Sequence, residues 1–118
     1  MTALTTYRMR ANILSDGYQV KARRLLRIKL TDTGGHLTEM VVWQVPAHSR
    51  HPEGVRYRLA FIPHGQGRPA VLYDNHHPKG PHKHVEGKQS PYEFSSTRQL
   101  ISDFKEDVML WKGMRGWT

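Results

Sequence analysis

The chain has no cysteine, and that absence excludes a disulfide framework, a thiolate-ligated zinc site and a thiol nucleophile together. It suits a reducing compartment. No stretch approaches the roughly 20 apolar residues that a membrane span requires, and Met1 to Arg10 holds no apolar run of signal-peptide length. The expectation is a soluble, unexported, cytoplasmic protein that does not engage a membrane. A glycine-rich phosphate loop, paired catalytic carboxylates and a Ser-His-Asp signature are also missing, Gly34-Gly35 reading only as a turn. No cofactor is expected. Acidic residues are few, 10 Asp or Glu against 18 Lys or Arg, and the resulting charge of +8 attracts polyanions or an acidic protein.

What is present fits one basic domain spanning residues 1–118, with only a modest core at this length. The excess charge is uneven. Residues 1–95 carry fourteen Lys or Arg against seven Asp or Glu, whereas Ser96 to Lys112 carries three of each. Lys21, Arg23, Arg24, Arg27 and Lys29 form its densest part, either a solvated sheet face or a phosphate-binding surface.

Arg24 to Leu30 alternates, with Leu26, Ile28 and Leu30 opposed to Arg27 and Lys29, the period of a half-buried strand. Thr31 to Gly35 reads as a turn, and Leu37 to Val45, rich in β-branched residues, as the return strand. Pro46 to Gly54, with His48 and His51, reads as a flexible connection. Val55 to Ile62 alternates again, Pro63 to Gly67 turns, and Pro69 to Asp74 returns. Tyr7 to Leu14 could add a short edge strand. From Ser96 the period becomes helical, through Leu100, Phe104, Val108 and Trp111, with Ser96 and Gln99 as a capping box and Gly113 as the stop. The fold class expected is α+β, an antiparallel β-meander of four to five strands packed by one C-terminal helix. An exposed edge strand in such a sheet would allow a homodimer.

The segment from Tyr73 to His84 stands apart. Between Asn75 and His84 it combines two prolines and a glycine with four histidines, which reads as a loop on the end of a strand. Three functions fit that loop. In the first, lysines neutralise RNA phosphates and a histidine acts as general base or acid, since its pKa lies nearest neutrality. Candidate catalytic residues are His82, His84, Lys83, Lys79 and Asp74, the last as a carboxylate that orients a histidine or caps its own turn. Candidate nucleic-acid contacts are Arg24, Arg27, Arg58, Tyr73 and Asn75. In the second, His82 and His84 with His76 or His77 hold zinc or nickel for a metal-dependent nuclease, against the repulsion of the intervening lysines. In the third, the loop only connects sheet and helix, leaving a non-catalytic nucleic-acid-binding module on the basic sheet face. Tyr57, Tyr73 and Tyr92 could stack on bases or fill the core. Trp43 and Trp111 read as core, and Asp103, Glu106 and Asp107 as a solvated helix face.

The ordered runs Tyr73-Asp74-Asn75, Lys79-Gly80, His82-Lys83-His84, Pro91-Tyr92-Glu93-Phe94, Asp103-Phe104 and Asp107-Val108 resemble the TumE family of toxin components. Glu39 to Pro46, upstream of Tyr57-Arg58-Leu59, adds to the resemblance, which covers roughly Arg23 to Trp111. Two positions depart from the family pattern: Pro78 precedes the lysine, and Pro81 stands where an acidic residue is usual. The resemblance implies the toxin of a bacterial type II toxin-antitoxin pair, with an antitoxin that carries a helix-turn-helix domain. Combined with the basic charge, it makes a metal-independent endoribonuclease acting on RNA the leading expectation.

Overall fold

The computed structural model describes residues 22–48 and 50–115. Six strands, β1 (Arg23–Thr31), β2 (Leu37–Gln44), β3 (Val55–Ile62), β4 (Val71–Asp74), β5 (His82–Val85) and β6 (Lys88–Pro91), precede one helix, α1 (Thr97–Met114). Each strand pairs antiparallel with the next, so the sheet is an open meander in sequence order. Two strands more than β1–β4 are present, where four to five in all were expected. The added hairpin starts inside the segment read as a loop, because His82-Lys83-His84-Val85 alternates across a two-residue turn at Glu86 and Gly87. Both turn residues have positive φ, 53° and 79°, the geometry that matches strand twist. Pro78 and Pro81 lie just before this hairpin and hid it.

One sheet face carries the core. Met40, Val42, Tyr57, Leu59, Phe61, Val71 and Tyr73 alternate inward from β2, β3 and β4, and α1 covers them with Leu100, Phe104 and Trp111. Burying a Val, Leu or Phe side chain of this kind stabilises by about 1.5–3 kcal/mol, so this layer dominates the fold's stability. The helix lies along β3 and β4. Leu30, expected to point inward, lies on edge strand β1 beyond the reach of the helix and is 56% exposed.

Trp43 is not in the core. Its neighbour Val42 is fully buried, so Trp43 falls on the opposite face of β2. Both phases of Met40-Val41-Val42-Trp43 are apolar, and alternation alone could not choose between them. Trp111 does pack in the core, as expected.

Ser96 caps α1 from an extended backbone, its Oγ accepting from the Gln99 N–H at 3.0 Å. The reciprocal half of a capping box is replaced, since Gln99 Nε2 donates to Asp103 Oδ1 at 2.7 Å. Gly113 does not stop the helix. The last turn is pinned from outside, by Lys112 Nζ on Asp32 Oδ2 at 3.1 Å, by Arg115 on Glu86 at 2.9 Å, and by the Trp111 indole N–H donating to Glu86. The connection from β2 to β3 is held by backbone bonds, Val45 N–H to the Gly54 carbonyl at 2.9 Å among them. The edge strand expected at Tyr7 to Leu14 lies outside the described residues.

Candidate functional site

The face of the sheet that α1 does not cover is organised by register. One row runs across all six strands, from Arg27 through Val41, Arg58, Asp74 and His82 to Pro91. The next row is Lys29, Glu39, Ala60, Leu72, His84 and Gln89. A third begins with Arg24, Trp43 and Arg56. Neighbours in such rows have Cβ atoms about 4.5–5.5 Å apart, so their side chains form one surface.

Arg24 reaches this face through a register shift. Strict alternation from Leu26 would put Arg24 with the inward residues. An irregularity between Arg24 and Leu26 inserts one residue, moving Arg24 to the side of Arg27 and Lys29 and leaving Leu25 44% exposed. A bulge has no compositional mark here, and the sequence does not announce it.

Glu39 lies between two of these cations, 3.9 Å from both Lys29 Nζ and Arg58 Nη1. Arg58 is half-exposed and faces Asp74 across the β3–β4 pairing. Asp74 caps its own turn and lies beside a histidine. Its Oδ1 accepts from the His76 backbone N–H at 3.0 Å, closing its own turn, and lies 3.3 Å from His82 Nε2. His82 Nδ1 donates to the Gly80 carbonyl at 2.7 Å, since a carbonyl oxygen can only accept. Both nitrogens of His82 are therefore engaged, and the residue is 5% exposed.

His84 packs edge-on against His82, ring centroids 5.1 Å apart, and is the more open of the two. Beside it, Gln89 accepts from Lys79 Nζ at 2.9 Å, which brings that ammonium to the same edge of the face. A concavity of about 440 Å³ opens over β2–β4, lined by Trp43, Arg56, Arg58, Asp74 and His76 among others. Arg24, Arg27, Arg58, Asp74, His82, His84 and Lys79 are thus on or beside one surface.

Three expected site residues are committed to the fold instead, two of them on the helix side and Asn75 buried at the wall of the concavity. Lys83 pairs with Tyr73 in register and so points to the helix side, where its Nζ meets Asp107 Oδ2 at 3.0 Å and lies 5.6 Å from the Tyr73 ring centre. Adjacent residues on a strand face opposite ways, which separates Lys83 from His82 and His84. Tyr73 is 1% exposed and donates to Asp107 and to the Asp103 carbonyl, so it offers no ring to a ligand. Burial, then the bond to Asp107, pushes its hydroxyl well above the ordinary tyrosine range. Asn75, also 1% exposed, spends its amide on backbone. Its Oδ1 accepts from the Tyr57 N–H at 3.0 Å, and its Nδ2 donates to the Val55 carbonyl at 2.8 Å.

The acidic residues of α1 also differ from expectation. Asp103 accepts from the Tyr92 hydroxyl at 2.6 Å and Asp107 from Tyr73 and Lys83, so only Glu106 sits on an exposed position. Among the described residues, no three histidine or carboxylate groups converge to hold a metal ion, so the zinc or nickel reading has no ligand set there. Trp43 is a surface residue that sequence reasoning placed in the core, whereas Arg56 shares the face of Arg58, as the alternation of Val55 to Ile62 indicates.

Fold and surface together define a small basic α+β protein with one helix-covered face and one cation-lined face that no helix covers among the described residues. Its closest description comes from the sequence as a whole. The chain belongs to the family described as Toxin TumE, whose model matches residues 4–112. Membership makes it a toxin component of a toxin-antitoxin system and implies an antitoxin partner. No curated protein and no solved structure matches the chain significantly.

Proposed function

We propose that this toxin binds RNA on the helix-free face of its sheet and cleaves it there without a metal, in the cytoplasm, until an antitoxin with a helix-turn-helix domain neutralises it. The observation that carries the reading is the register row that sets Arg58, Asp74 and His82 on three neighbouring strands of a cationic face. Arg24, Arg27 and Arg58 take the backbone phosphates, and counterion release makes that binding steeply salt-dependent.

The burial of His82 moves the proton-transfer role to its neighbour. Asp74 and Gly80 hold His82, and His82 holds the ring of His84. His84 takes the proton from a ribose 2′-hydroxyl, and the 2′ oxygen attacks phosphorus as the bond from phosphorus to the 5′ oxygen breaks. Protonated His76, exposed at the concavity, gives its proton to the departing 5′ oxygen. Arg58 stabilises the charge that builds on the phosphorane, and Lys79, held beside Gln89 at the β6 edge, takes a flanking phosphate. The products are a 2′,3′-cyclic phosphate and a free 5′-hydroxyl.

Incubation of the purified chain with RNA in a chelator tests this directly. Cleavage leaving cyclic phosphate ends is expected, with His84→Ala and Arg58→Gln slower by about a hundredfold or more and Lys83→Met close to the unsubstituted rate. No cleavage, or cleavage unaffected by His84→Ala, overturns the catalytic assignment. Salt-dependent RNA binding without turnover would leave the second reading, a binding module, which the row of arginines alone supports.

A further inference from the structure

We infer that Trp43 is a stacking platform for an unpaired nucleobase, so that the bare face selects single-stranded RNA over duplex. This rests on the proposed RNA-binding reading and adds the feature that reads the bases.

Trp43 is the residue whose position the fold explains least. The core is complete on the other side of β2, closed by Met40 and Val42. On its own face Trp43 is half-buried and has Arg24 and Arg56 as its cross-strand partners. It borders the concavity over β2–β4, which Arg58, Asp74 and His76 also line. A large aromatic on a cationic surface leaves apolar area in water. Guanidinium groups on both sides would hold the phosphates that flank a base stacked on the indole.

The arrangement matches how single strands are held, by cations that track the backbone and aromatics that stack successive bases. Stacking accepts any base because every base presents a π face. A duplex keeps its bases stacked on each other and cannot offer one to Trp43. The register shift in β1 belongs to the same device, since without it Arg24 would leave the row of Trp43.

Binding is measured in a His84→Ala background, which keeps the RNA intact, using a mixed-sequence 12-nucleotide RNA, its blunt duplex and inorganic polyphosphate. Trp43→Ala should weaken single-strand binding by about five- to a hundredfold, Trp43→Phe should restore most of it, and polyphosphate binding should stay unchanged. The unsubstituted surface should bind the single strand more tightly than the duplex. Equal binding of single strand and duplex, or Trp43→Ala binding RNA normally, overturns the platform while leaving the phosphate-binding face intact. Failure of the His84→Ala chain to bind RNA or polyphosphate overturns the RNA-binding reading, and the platform with it.

Discussion

Asn75 shows how a residue can stand beside a site and belong to the fold. It follows Asp74, its backbone ends β4, and its amide reaches over to pair with Val55 and Tyr57 of β3, prolonging the ladder past the last strand residue. Removing that amide leaves a buried N–H and a buried carbonyl without partners, each costing about 1–3 kcal/mol. Asn75→Ala is therefore expected to lower unfolding free energy by about 2–4 kcal/mol in urea titrations, and an unchanged midpoint would contradict this role. The sequence marks Asn75 as polar and near the histidines, and that proximity in the chain suggested a ligand contact. Burial, which the sequence does not record, decides otherwise. The same holds for His82, singled out for its chemistry and found with both nitrogens engaged, and for Tyr73, whose hydroxyl is spent on α1. Arg58 and Asp74 lie on the opposite face by the phase of their strands, and His84 joins them there through β5, where the composition reads as a loop.

At the scale of elements, β1, β3 and α1 were legible because each shows a clean period of two or of three to four, and β2 and β4 because each is an apolar run that follows a turn signal. β5 and β6 were not, because Pro78 and Pro81 announce irregular chain just before His82 resumes alternation. The helix end was legible only at its start. Gly113 carries no stop because the last turn is fixed by partners distant in sequence, one of them Asp32 in the β1–β2 turn. Burial pushes the Asp32 carboxyl up, but hydrogen bonds from the His36 N–H, the Lys112 ammonium and the Gly34 N–H outweigh it and hold the group below its ordinary value. A carboxyl lowered in the folded state stabilises above its unfolded pKa of about 3.9, and the contribution disappears as pH falls through the folded value. Lys112→Gln and Asp32→Asn, the latter keeping an oxygen for the turn's N–H groups, should therefore lower stability near neutral pH and flatten its decline below about pH 4. Thermal melts at pH 7 and pH 3 measure this, and equal losses at both pH values would contradict it.

At the scale of the whole molecule, the two faces of one sheet differ in how their charges are paired. The helix side pairs most of its polar groups internally, with Lys83, Tyr73, Tyr92, Asp103 and Asp107 in one connected set and the buried Tyr57 hydroxyl left outside it. The bare side keeps Arg24, Arg27 and Arg56 outside any ion pair among the described residues, and binds Arg58 only at 3.9 Å. Net charge of +8 said that a polyanion was a suitable partner, but it could not say which face would meet it. Register gathers Arg24, Arg27, Arg56 and Arg58 on one face, the surface that the proposed RNA-binding reading uses. The central claim is that toxicity resides on the bare face, and induced expression in bacteria tests it most directly. The unsubstituted chain should arrest growth, and Arg27→Glu with Arg58→Glu should abolish the arrest while circular dichroism and soluble yield remain normal. Full arrest by that folded double variant would contradict the account.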